Sequence, residues 1–100
     1  MNTIKKTKIV ATLGPASNDP ETIEKMILEG VNVFRINFSH VNYEDVPVRI
    51  ETIRKIDKKL QTNTAILADL QGPKLRVGKM EEGTVVVEGD LVEFSTEKPF

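Results

Sequence analysis

Residues 33–40 read Val-Phe-Arg-Ile-Asn-Phe-Ser-His, and in an extended strand successive side chains point to opposite faces. Period two places Arg35, Asn37 and Ser39 on one face, and Phe34, Ile36 and Phe38 on the other. A guanidinium, an amide and a hydroxyl in register suit an oxyanion or phosphate lying close to a bound cation. An edge strand with one wet face would show the same alternation and do no chemistry. Neighbouring residues have to decide between the two.

Asp69 is the one charged residue of the apolar run Ala65 to Leu70, and it stands near the carboxyl end. An aspartate there can simply cap the next turn. If its strand lies beside that of Asn37, then Asn37, Ser39 and Asp69 form an all-oxygen donor set suited to a hard cation. Gly72-Pro73-Lys74-Leu75-Arg76 follows. Gly72 lets the backbone approach a ligand closely, and Lys74 and Arg76 would neutralise phosphate, although two cations in a solvated linker are common. His40 could serve as a base, but a lone loop histidine is more often a hydrogen-bonding residue.

These residues need a scaffold, and the chain supplies a regular one. Lys8 to Gly14 is a compact apolar run closed by Gly14-Pro15, which predicts a buried strand ending in a turn. Asp19-Pro20 predicts an N-cap with proline in the first turn. Ile23, Met26 and Ile27 form one apolar stripe, and Gly30 stops that helix. A second strand follows at 33–39. A second helix begins at Asn42 or just after it, with Pro47 in its first turn and Val46, Ile50, Ile53 and Leu60 at helical spacing. Glu51 and Lys55 make an i,i+4 pair, and Arg54, Lys58 and Lys59 suit a solvated face. Residues 65–70 give a third strand.

Strand, helix, strand, helix, strand with short loops implies a parallel sheet with right-handed crossovers. Ligands bind such sheets at the carboxyl ends of the strands, where Asn37, Ser39 and Asp69 fall. Beyond Gly72-Pro73 the texture changes to short β-rich pieces at 76–80, 84–88 and 91–95, separated by turns at Glu82-Gly83 and Gly89-Asp90. This predicts residues 1–72 as one unit and 73–100 as the beginning of an all-β one.

With 14 basic against 15 acidic residues, the net charge of −1 makes no electrostatic case for nucleic acid or an anionic membrane as partner. No apolar run is long enough for a membrane span. The absence of cysteine excludes disulfides and thiolate metal sites and agrees with a cytoplasmic protein. A single histidine means that any metal here needs oxygen ligands. Neither G-x-G-x-x-G after a strand nor G-x-x-x-x-G-K-[ST] occurs, so a doubly wound dinucleotide fold and a P-loop both lose support.

Three blocks together carry a resemblance: Thr-Lys-Ile-Val-Ala-Thr-Leu-Gly-Pro-Ala-Ser at 7–17, Phe-Arg-Ile-Asn-Phe-Ser-His at 34–40, and Asp-Leu-Gln-Gly-Pro-Lys-Leu-Arg at 69–76. In order and interval they resemble the N-terminal blocks of the pyruvate kinase family. The likeness runs from about Lys6 through Arg76, and the β-rich residues to Phe100 are similar to the opening of that family's lid domain. The resemblance implies an α/β fold: the first βαβαβ portion of a (β/α)8 TIM barrel, then the start of a small all-β lid. It implies phosphoryl transfer from phosphoenolpyruvate to ADP, giving pyruvate and ATP, in a cytoplasmic homo-oligomer. By position, Arg35 would contact substrate phosphate. Asn37, Ser39, Asp69 and the Leu70 carbonyl would form a monovalent-cation site, and Asn37, Phe38, Ser39, His40 and Arg76 would face the nucleotide. Positioning and charge neutralisation dominate such chemistry, which agrees with these residue types.

Two positions depart from the potassium-dependent pattern, which has Thr after the Asp and Glu after the Gly-Pro; here they are Leu70 and Lys74. An ammonium in place of an acid repels K+ and supplies a tethered positive charge. The expectation is a potassium-independent enzyme whose Asn37, Ser39 and Asp69 site is either empty or filled by the Lys74 ammonium. In the family, the transition-state lysine and the two acidic Mg2+ ligands lie beyond residue 100, so this stretch alone is expected to transfer no phosphate. Three barrel strands with open edges are also expected to self-associate, exchange segments or stay partly disordered. The alternatives are a non-catalytic phosphate-binding or interaction module built from a barrel segment, or a piece with no function of its own.

Overall fold

Asp19 and Pro20 start the first helix as their positions require. The Asp19 carboxylate accepts the Thr22 N–H at 3.0 Å, Pro20 occupies the first turn, and α1 runs Pro20–Glu29. Ile23 and Ile27 are buried along one side. Gly30 ends the helix at φ +115°, a conformation that glycine adopts without strain, and the Val31 N–H reaches back to the Met26 carbonyl at 3.0 Å. The computed structural model describes residues 5–73 and 75–96.

The remaining elements are β1 (Val10–Thr12), β2 (Val33–Asn37), α2 (Val46–Leu60) and β3 (Ala65–Asp69), with one 3-10 turn at Pro15–Ser17. The strands pair in parallel in the order β1-β2-β3. Phe34 lies between Ala11 and Ile66 in register, and this row together with Ile36 packs on the helices. Ile23 and Ile27 of α1 and Ile53 and Ile56 of α2 complete the same core, so both helices cover one face of the sheet. The opposite face carries Val10, Thr12, Arg35, Asn37 and Leu67, all exposed or half-buried.

Asn32 ties the amino-terminal end of the sheet together. Its side-chain oxygen accepts from the Ile9 N–H and from Lys5 Nζ, each at 3.0 Å. Its own N–H donates to the Ile9 carbonyl, and its carbonyl accepts from the Ala65 N–H, both at 3.0 Å. One residue thereby aligns the entries to all three strands.

Several expectations need correcting. The first strand is shorter than 8–14. The second stops at Asn37, because the Asn37 side-chain oxygen takes the Ser39 N–H at 3.0 Å and its carbonyl takes the His40 N–H at 3.2 Å, which folds the backbone into a turn. Ser39 therefore does not continue the face of Arg35 and Asn37. Helix α2 begins at Val46 rather than beside Asn42, whose side chain and carbonyl accept the N–H groups of Glu44 and Asp45 in a preceding turn. Its buried stripe is Ile53, Ile56 and Asp57 with Val46 and Leu60 half-buried as expected, while Ile50 is exposed. Arg54 and Lys59 are not merely solvated: Arg54 pairs with Asp57 at 3.2 Å and Lys59 with Glu24 of α1 at 2.8 Å.

Past Pro73 the structure differs most. Turns form near Glu82-Gly83 and Glu88-Gly89, but no described residue of 75–96 joins a ladder. Runs such as Val85-Val86-Val87 are apolar toward both faces, and a strand of that kind needs cover on both sides. Here these valines are exposed. The radius of gyration, 19.0 Å, is well above the value of about 13 Å for a compact domain of this length. Core residues end at Leu60 and Ile66, so residues 75–96 extend the molecule without adding to its core.

Candidate functional site

The carboxyl ends of the three strands form one rim, and chain pairing fixes what stands on it. Thr12 is opposite Arg35 across β1 and β2, and Asn37 is opposite Asp69 across β2 and β3. The Leu13 N–H bonds to the Arg35 carbonyl and the Phe38 N–H to the Asp69 carbonyl, both at 3.0 Å, which carries the pairing right to the rim. The chemistry-bearing side chains thus sit on the helix-free face at the end where parallel sheets bind ligands.

Arg35 is the centre of this rim. Its Nη1 donates to Thr12 Oγ1 at 3.2 Å, and its Nη2 donates to the Asp69 carboxylate. Both members of the ion pair keep solvent access, with about a third of the Arg35 side chain and 43% of the Asp69 side chain exposed. A half-exposed guanidinium with its plane fixed from two sides can still offer donors to an oxyanion.

Asn37 and Asp69 are brought together as expected; Ser39 lies in the turn just past them. Phe38 packs against the core and lies 5.8 Å from the Tyr43 ring, centroid to centroid. His40 is exposed next to that turn, and Leu70 is exposed just after β3. Arg76 is not at the rim but lines an open concavity formed by residues 75–96. Lys74 lies outside the described residues.

Two of the oxygen donors expected around a monovalent cation have partners within the chain: the Asp69 carboxylate accepts from the Arg35 guanidinium, and Asn37 Oδ1 accepts from the Ser39 N–H. A cation at this rim would share Asp69 with that guanidinium. No group of three or more His, Cys, Asp or Glu side chains suited to a metal occurs among the described residues.

The structure adds two residues to those singled out in the sequence. Thr12 is one, visible in retrospect as the last strand residue beside Arg35. Asp57 is the other, and it is structural. Only 6% exposed, it accepts from Thr62 Oγ1 at 2.7 Å, Thr64 Oγ1 at 2.6 Å, the Thr64 N–H and Arg54. Arg54 also donates to the Thr64 carbonyl at 2.6 Å. This cluster locks the end of α2 to the entry of β3, at the end of the sheet away from the rim.

The model of the pyruvate kinase barrel domain matches residues 4–100, nearly the whole chain. The chain belongs to the pyruvate kinase family. It is 52% identical over 88 residues to the pyruvate kinase of Methylorubrum extorquens and 51% identical over 92 residues to that of Thermococcus litoralis. These alignments cover 88% and 91% of this chain but 18% and 19% of the relatives. The crystal structure of a pyruvate kinase from Cryptosporidium parvum superposes with a TM-score of 0.64 at 35% identity, covering 68% of this chain and 14% of that one. The parallel α/β unit is thus shared with a pyruvate kinase, and the chain spans less than a fifth of the length of these relatives.

Proposed function

We propose that these residues are the N-terminal part of a pyruvate kinase: the first βαβαβ portion of its (β/α)8 barrel, leading into an all-β lid after residue 72. The whole protein transfers the phosphoryl group of phosphoenolpyruvate to ADP, as a cytoplasmic homo-oligomer of glycolysis. The observation that carries this reading is Arg35, held on the helix-free face at the carboxyl ends of the strands with its guanidinium fixed between two neighbouring strands.

In this reading Arg35 binds the phosphoryl group and neutralises its charge, which is what this reaction class asks of a protein. The turn of Asn37, Phe38, Ser39 and His40 faces the nucleotide, with Arg76 brought in by the folded lid. Lid strands at 76–95 form when their partners are present; the β-branched runs between turns support this. Mg2+ would be held by residues outside this stretch. Potassium is not required in this reading, because Leu70 and Lys74 replace the residues of the potassium-dependent pattern and the Lys74 ammonium supplies a tethered positive charge.

The test is an assay of the gene product that contains these residues, with phosphoenolpyruvate, ADP and Mg2+, in a buffer whose only monovalent cation is bulky and organic. Pyruvate and ATP should form, with little change on adding KCl, while residues 1–100 alone should give no turnover. Strong activation by KCl would remove the potassium-independent part. A native product without activity would favour the non-catalytic phosphate-binding module.

A further inference from the structure

Arg35 has one partner on each side. Asp69 supplies charge, but charge alone leaves a long, flexible side chain free to swing about a single contact. The second contact, from Thr12 on β1, removes that freedom. Thr12 ends β1 directly opposite Arg35, and its hydroxyl accepts from Nη1 while Asp69 of β3 accepts from Nη2. The two bonds use different nitrogens of one planar group, so together they fix its plane. Thr12 is well suited to this, because a β-branched side chain in a strand has little freedom at χ1 and holds its oxygen in place.

We infer that Thr12 is a positioning residue: with Asp69 it clamps the Arg35 guanidinium across all three strands, so that the remaining N–H donors point at a phosphoryl group above the helix-free face. This rests on the role proposed for Arg35 above and extends it to a residue outside the sequence-derived site. A guanidinium has more donors than these two bonds use. Pre-ordering a rotamer-rich side chain also lowers the ordering cost that would otherwise fall on phosphate binding. A threonine present only as a good strand former would give the same backbone without this effect.

Two substitutions separate the explanations. Thr12→Val keeps the shape and the β preference and removes the hydroxyl; Thr12→Ser keeps the hydroxyl. The readouts are taken on the full-length gene product: the affinity for inorganic phosphate, KM and kcat with phosphoenolpyruvate, and Tm. In Thr12→Val phosphate affinity should fall about fivefold to tenfold with Tm unchanged, and Thr12→Ser should keep it. Phosphate binding that is lost in Arg35→Ala but is equal in Thr12→Val would overturn the inference and leave the Arg35 reading standing. Binding that is unchanged in Arg35→Ala would remove that reading and the inference with it. A fall in affinity matched by a fall in Tm and not rescued by Thr12→Ser would make Thr12 merely structural.

Discussion

Asp57 shows how a single residue can stand against its own pattern. It occupies a position on the buried stripe of α2, between Ile56 and Leu60, where an unpaired carboxylate would be very costly. Its bonds from Thr62, Thr64 and Arg54 offset that cost. Asp57→Ala would leave the Thr64 N–H and hydroxyl buried without their acceptor. We expect a loss of about 3 kcal/mol in urea unfolding of the full chain; a loss below about 1 kcal/mol would mean that the cluster relaxes or hydrates. The stripe was legible from Ile53 and Leu60, but the acceptor role of Asp57 was not, because its partners lie beyond the helix. Arg35 and Asp69 were legible, since period two and a strand end fix where they stand. Ser39 was misplaced because the Asn37 side chain competes for the local backbone N–H and ends the strand two residues earlier than alternation implies.

Among the elements, α1 has the clearest local signals and the closest match between sequence and structure. Asp19, Pro20 and Gly30 each act through a backbone group within a few residues, so no distant contact can override them. The start of α2 had no comparable marker, since Asp45 caps it without a side-chain bond, and the boundary moved accordingly. The Asp19 cap also has a pH signature. The hydrogen bonds from Thr22 hold its carboxyl below the usual carboxylate range. A lowered folded-state pKa means that the stabilisation is complete above the unfolded value, about pH 4, and is lost as pH falls through the folded one. Asp19→Ser keeps a capping oxygen that does not titrate. The stability difference between native chain and Asp19→Ser should therefore be constant from pH 7 down to about pH 5 and shift in favour of the serine variant on further acidification. A difference independent of pH would show that the cap does not act through its charge.

At the scale of the whole molecule, one face of the sheet is covered and the other is not. Both helices lie on the side of Phe34 and Ile36, and Arg35 stands on the open side, as an inward-facing barrel residue would. The parallel sheet was readable from the βαβαβ alternation, because short connections leave few other topologies. Strands at 76–95 were not realised, because strand propensity is expressed only against a partner, and these residues have no ladder here. No helix among the described residues is long and apolar enough to cross a membrane.

The central claim is that the Arg35 guanidinium meets the transferring phosphoryl group. It is tested most directly by kcat/KM for phosphoenolpyruvate in the full-length gene product, native against Arg35→Lys. Lysine keeps the charge but cannot hold Thr12 and Asp69 and still offer a fork to phosphate. The expected result is a loss of about 100-fold or more with Tm essentially unchanged. Native-like kcat/KM in Arg35→Lys would contradict the account.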